Sequence, residues 1–273
     1  MRQRAARLLL HAALVALAAA ALLPLLWMVA VSFMPAGTAS VSPPPLLPHH
    51  PTTANYRLLF ASQGMGRYFA NSLCLALLCT ACSLLCNSLA GFAFAKLRFA
   101  GSEALLRVLL AALVIPSQVA MMPLFLMMKW LGFVNTYAGV VLPAAASIFG
   151  VFLVRQYALS IPDELLEAAR IDGAGEGRIF LRIVLPVLRP ILVTLAIFTF
   201  LASWNDFLWP LIAIQSEPHM TLQLGLSTFQ GAHATNWTLL MAGNVMATLP
   251  MLVAFVVAQK QFVNSIASAG VKG

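Results

Sequence analysis

DELLEAARIDGAGEGRIFLRIVLPVLRP, residues Asp163 to Pro190, decides how the rest of this sequence is read. It carries Asp163, Glu164, Glu167, Arg170, Asp172, Glu176, Arg178, Arg182 and Arg189, nine of the chain's 24 charged residues. Almost everything on either side is apolar. The 273 residues are 61% hydrophobic and 9% charged, whereas a soluble domain carries roughly 25% charged residues. Several apolar runs exceed the ~20 residues that cross a hydrocarbon core. Lipid accepts only helices or closed barrels, because every backbone polar group must be satisfied internally. The alternating pattern of barrel strands is absent. The sequence therefore predicts an all-α polytopic membrane protein with a water-exposed charged island.

Working outward, six spans are predicted: about Leu8–Phe33, Tyr68–Ala95, Leu105–Met128, Tyr137–Val154, Leu188–Ile214 and Trp237–Phe262. The first follows Arg2, Arg4 and Arg7. It is too long for a cleaved signal core of about 7–15 residues, so an uncleaved span is expected. Pro35–Gly66 contains PPPLLPHHP, which cannot be helical and predicts an external loop. A second external loop is expected from Gln215 to Asn236.

Six spans place both termini on one side. With those termini inside, thirteen Lys and Arg residues fall on the inner face, and Arg57, Arg67 and Lys129 fall outside. The positive-inside rule then puts the island and both termini in the cytoplasm. The same distribution explains the net charge of +8 without nucleic acid, since the basic residues form no aromatic-interleaved face.

The island has the marks of a helix. Ser160 and Asp163 stand in capping-box spacing, and Pro162 suits a first turn. Asp163 and Glu164 complement the helix dipole. Leu165, Leu166, Ala169 and Ile171 suggest an apolar stripe, and Gly173 and Gly175 suggest its end. A second short helical piece is expected from Glu176 to about Val184. These residues alone leave two readings, a docking helix or a solvated loop.

The segment from Glu167 to Pro190 resembles the EAA loop of permeases from ATP-binding cassette (ABC) importers. The matching positions are Glu167, Ala168, Ala169, Asp172, Gly173, Ala174, Phe180, Ile183, Leu185, Pro186 and Pro190. The six spans, the segment SWNDFLWPLI from Ser203 to Ile212, and the end Gly270-Val271-Lys272-Gly273 are similar to the carbohydrate-uptake branch. Within that branch they resemble the second membrane subunit of maltose-type systems.

The resemblance implies the type I ABC importer permease fold in a bacterial inner membrane. The EAA helix would lie between spans four and five. It implies that Glu167, Ala168, Ala169, Asp172, Gly173, Ala174 and Pro186 couple to a cytoplasmic ATPase dimer, with Lys272 touching the same dimer. The other implied partners are a second permease subunit in a heterodimer, an extracytoplasmic sugar-binding protein and membrane lipid. Three regions are expected: residues 1–65, a first span and external loop; 66–263, five spans; and 264–273, a cytoplasmic tail. In the maltose-type branch, contacts to solute fall largely on the partner permease.

Asp206 is the one acidic residue inside an expected span, which makes it a candidate for the solute pathway together with Trp204 and Asn205. The other reading is a structural hydrogen bond or an outer-interface position. Asn71, Asn87, Gln118 and Asn244 have two readings, lining a cavity or tying helices together, and the tie is the expected one. Cys79-x-x-Cys82 has half of a zinc-site spacing, but in an apolar helix cysteine acts as a small hydrophobe. No metal or cofactor is expected. The chain lacks the G-x-x-x-x-G-K-[ST] phosphate loop, so ATP hydrolysis belongs on another chain. A self-sufficient secondary transporter predicts several buried charges and inverted repeats. An intramembrane enzyme predicts paired catalytic groups. Neither pattern is seen. Permeases for non-sugar solutes share the EAA loop and remain the alternative within the resemblance.

Overall fold

The computed structural model describes residues 2–230 and 235–270, with backbone alone at 2, 3, 5, 257, 258 and 260–270. It is almost wholly helical. In chain order the helices are α1 (Arg2–Ser32), α2 (Ala54–Ser62), α3 (Met65–Lys96), α4 (Ser102–Ala112), α5 (Met121–Trp130), α6 (Tyr137–Ala144), α7 (Ile148–Ala158), α8 (Asp163–Ile171), α9 (Glu176–Trp204), α10 (Leu208–Ala213), α11 (Leu222–Ser227) and α12 (Trp237–Gly270). Among the described residues, four stretches are each long and apolar enough to cross a membrane alone: Ala6–Ser32, Met65–Lys96, Glu176–Trp204 and Trp237–Val256. The count reaches six when two bent helix pairs are each taken as one span.

Those bends correct the expected boundaries. The third span is not one helix. It breaks between α4 and Ser117–Trp130 with a bend of 101°. Pro116 lies in the break, where it lacks an N–H and disfavours helix at the residue before it. The fourth span bends by 41° between α6 and α7. Here Pro143 precedes the break and Ser147 caps α7, its hydroxyl accepting from the Gly150 N–H at 2.9 Å. The fifth span is shifted toward the N-terminus of the expected Leu188–Ile214. It starts at Glu176 and ends at Trp204, with α10 as a separate short helix. The expected external loop Pro35–Gly66 also contains helix α2.

The piece Glu176–Val184 is thus the first part of α9. Residues Phe180–Val184 form one wide π-helical turn, and the Leu185 N–H reaches back five residues to the Phe180 carbonyl. A proline ring collides with the carbonyl four residues earlier in a regular helix. Widening the turn just before Pro186 removes that collision and lets the helix run on.

The described residues divide into two compact units, one within 1–67 and 224–250 and the other within 68–223 and 251–273. In the first, Asn55 donates to the Ser32 and Met34 carbonyls, both at 2.8 Å, and Tyr56 OH lies 2.8 Å from Ser32 Oγ. These bonds tie α2 to the end of α1. In the second, a core of Phe92, Val154, Ala158, Ile161, Leu166, Ile179, Phe180, Val184, Leu188 and Leu195 joins α3, α7, α8 and α9. Helices α3 and α7 approach closely at Gly91, where a Cβ would lie 2.6 Å from Val154 Cγ1.

Candidate coupling helix and solute cavity

Helix α8 starts after Pro162, whose backbone is extended at φ −60°, ψ 135°. The expected capping box does not form. Ser160 Oγ donates instead to the Tyr157 carbonyl at 2.7 Å. Asp163 turns to a residue distant in sequence, accepting from Lys96 Nζ at 2.6 Å, and the same ammonium donates to the Ile161 carbonyl at 2.6 Å. The Lys96 side chain is 5% exposed and that of Asp163 74%. The hydrogen bond from Lys96, then its charge, holds the Asp163 carboxyl below the usual carboxylate range.

The expected single stripe of Leu165, Leu166, Ala169 and Ile171 is split between two faces. Leu166 is 1% exposed and Ala169 is partly buried, both against the α3–α7–α9 core. Leu165 and Ile171 face outward, Ile171 being 87% exposed. At 3.6 residues per turn, Leu165, Ala168 and Ile171 share the side opposite Leu166. Glu164, Glu167 and Asp172 are exposed too. The helix is therefore anchored by one narrow face and presents a mixed acidic and apolar face outward.

The helix stop is a Schellman motif. Gly173 has φ +79°, its N–H bonds the Arg170 carbonyl at 3.0 Å, and the Ala174 N–H bonds the Ala169 carbonyl at 2.9 Å. Gly175 does not end α8. Its φ is −70°, and it is the N-cap of α9. Across this turn the Arg170 guanidinium grips Glu176 with two bonds, Nε to Oε1 at 2.7 Å and Nη2 to Oε2 at 3.3 Å. Pro186 is exposed just beyond the π turn. Lys272 lies outside the described residues.

At the other end of α9, a cavity of ≈ 660 Å³ opens among α3, α5, α6, α7, α9 and α10. Of the three pathway candidates only Asp206 lines it. Trp204 is buried, its ring 5.3 Å from Phe69 and stacked on Phe200 at 6.0 Å. Asn205 is exposed and its Nδ2 donates to the Leu201 carbonyl at 2.8 Å. Asp206 lies past the end of α9 rather than inside the span, and its Oδ1 accepts from the Trp209 N–H at 3.4 Å. Sequence reasoning missed Ser83, Ser117, Ser147, Thr199, Ser203 and Trp209, which also line the cavity with Gln118. The four-residue spacing of Thr199 and Ser203 on an apolar helix was the available signal.

Two of the expected helix ties are in place. Asn87 donates to Ser83 Oγ at 2.7 Å and accepts from the Ser147 N–H at 3.0 Å, which satisfies the backbone at the α6–α7 break. Asn71 donates to the Pro218 and Met220 carbonyls at 2.9 Å and accepts from Tyr137 OH at 2.7 Å. Asn135, at φ +61°, accepts from the Ser216 N–H and Oγ, both at 2.9 Å. The start of the loop after α10 is therefore held firmly.

The family described as binding-protein-dependent transport system inner membrane component matches residues 87–267, the segment that holds α8, α9 and most of the cavity. The chain belongs to this family. The permease is 38% identical over 260 residues, 93% of this chain and 92% of the relative, to the arabinooligosaccharides transport system permease protein AraQ of Halalkalibacterium halodurans. It is 37% identical over 212 residues, 78% of each chain, to the lactose transport system permease protein LacG of Rhizobium radiobacter. Its fold matches a chain of a solved bacterial ABC transporter involved in the import of the acidic polysaccharide alginate. The TM-score is 0.83 at 23% identity, over 95% of this permease and 98% of that chain. The fold is that of a type I ABC importer permease, in a multi-pass membrane protein.

Proposed function

We propose that this permease forms half of the membrane pathway of an ATP-driven importer for a sugar or sugar-like solute. α8 is the seat of a cytoplasmic ATPase dimer. The observation that carries this reading is the outward face of α8, with Leu165, Ala168 and Ile171 exposed between acidic residues while Leu166 and Ala169 anchor the helix. An exposed apolar stripe on a short charged helix suits a partner surface. Ala168, at the middle of that face, permits close approach, and Glu167 and Asp172 offer carboxylates to basic or N–H groups.

The mechanical link is α9. Its 29 residues span about 44 Å at 1.5 Å per residue. Its first turns are clamped to α8 through Arg170–Glu176 and the shared core, and its last turns carry Thr199 and Ser203 into the cavity. A displacement of α8 by closing ATPase subunits would be carried along one continuous helix to the cavity wall. This is how ATP hydrolysis on a separate chain would open and close a path here. The remaining parts of the proposal are a second permease as heterodimer partner, an extracytoplasmic sugar-binding protein, cytoplasmic termini in a bacterial inner membrane and a Lys272 contact to the ATPase. Support for a sugar comes from the relatives named above and from a cavity lined by hydroxyls and an indole.

Co-purification in mild detergent tests the reading. An ATPase subunit and a second permease should accompany the tagged chain. A partner-free protein that still transports would overturn it.

A further inference from the structure

The cavity at the end of α9 is lined almost without charge. Among the described residues that line it, none is Lys, Arg or His, and Asp206 is the one carboxylate. The other polar groups are neutral, among them Ser83, Ser147, Thr199, Ser203 and Gln118. Phe198 and Trp209 supply aromatic surface. From this we infer that the cavity wall of this chain passes neutral saccharides and rejects anionic ones, because its lining offers an anion no counter-charge and Asp206 adds none. The inference rests on the proposed sugar pathway and adds the charge class of its solute.

Either protonation state of Asp206 disfavours an anion. An ionised Asp206 repels a solute carboxylate or phosphate directly, and like charges brought together at a contact are strongly disfavoured. A protonated Asp206 removes the repulsion but supplies no counter-charge, and a desolvated anion without a partner is costly. A neutral saccharide meets neither problem. Its hydroxyls find the serine and threonine hydroxyls, the Gln118 amide and Asp206, and its C–H faces find the Trp209 and Phe198 rings. A few placed polar groups among apolar and aromatic walls is the usual composition of a small-molecule site, and ≈ 660 Å³ lies within the usual range of about 300–1,000 Å³.

The test uses the assembled importer in proteoliposomes, with arabinotriose and its reducing-end acid, arabinotrionate, as probes. The affinity of the binding protein for each is measured separately, and uptake is compared at equal occupancy of that protein. The ratio then reports the membrane step. Wild-type complex should carry arabinotriose faster by on the order of tenfold or more. Ser203→Lys places a cation in the lining and should raise the acid-to-neutral ratio by on the order of tenfold. Should Ser203→Lys fail to assemble, Thr199→Lys, at another lining position, decides. Equal rates for the two probes in wild type, or a ratio unmoved by a lysine placed in the lining, would overturn the inference. A wild-type complex that carries no sugar would instead overturn the sugar pathway itself.

Discussion

Replacing Gly173 with valine isolates the turn that joins α8 to α9. Gly173 has φ +79°, and a Cβ built there meets nothing within 4 Å. The penalty is therefore one of backbone conformation rather than collision. An L-residue held left-handed costs about 1–2 kcal/mol, and a β-branched one more. If the turn relaxes to escape that strain, it gives up the 3.0 Å and 2.9 Å bonds from Gly173 and Ala174, at about 0.5–1.5 kcal/mol each. A loss of roughly 2 kcal/mol changes a local equilibrium by up to about 30-fold. The population in which α8 leaves its set direction rises by the same factor while the spans stay inserted. The assay is ATP hydrolysis stimulated by sugar-loaded binding protein, measured beside uptake in proteoliposomes. Gly173→Val should keep normal membrane yield and basal hydrolysis and lose most stimulation and uptake. Gly175→Val is the control, because Gly175 sits at φ −70° with open space around it and any residue accepts that backbone. Wild-type coupling in Gly173→Val, or equal damage in both variants, would refute the reasoning.

Other substitutions separate anchoring from docking. Leu166→Ala removes a side chain that is 1% exposed. It should cost about 2–5 kcal/mol, seen as a lower melting temperature in detergent together with lost coupling. Ile171→Ser changes a side chain that is 87% exposed. It should leave melting within about 0.5 kcal/mol of wild type and weaken ATPase co-purification. Gly91→Ala puts a Cβ 2.6 Å from Val154 Cγ1 and 3.0 Å from the Arg155 nitrogen. Forcing α3 and α7 apart should cost about 1–3 kcal/mol, checked by thermal unfolding. For pH, Lys96 depresses the Asp163 carboxyl, so the ion pair's contribution is fully present above the unfolded value near 3.9. It is lost as pH falls through the lower folded value. Amide exchange of α8 should rise in that acid window alone, and Asp163→Asn should remove the dependence.

The sequence determined the local grammar of the coupling segment and the membrane character of the chain. Charge concentration, Pro162 and Gly173 placed α8 and its stop within a residue or two, because a proline's restriction and a left-handed turn act on positions next to them. Apolar length fixed the approximate place of the spans for the same reason, since crossing hydrocarbon is a property of a contiguous run. Tertiary structure decided which way those elements face. The Asp163 partner is Lys96, 67 residues away, and the Ser147 N–H finds Asn87 at a separation of 60. No pattern within α8 distinguishes Leu166, which enters a core built by α3, α7 and α9, from Leu165, which does not. Asp206 read as an intramembrane carboxylate because SWNDFLWPLI is apolar on both sides. The helix in fact ends at Trp204, and the start of α9 at Glu176 moved the whole span. Hydrophobicity measures how much of a run can be buried, and it carries no record of where a proline, a π turn or a distant asparagine will bend it.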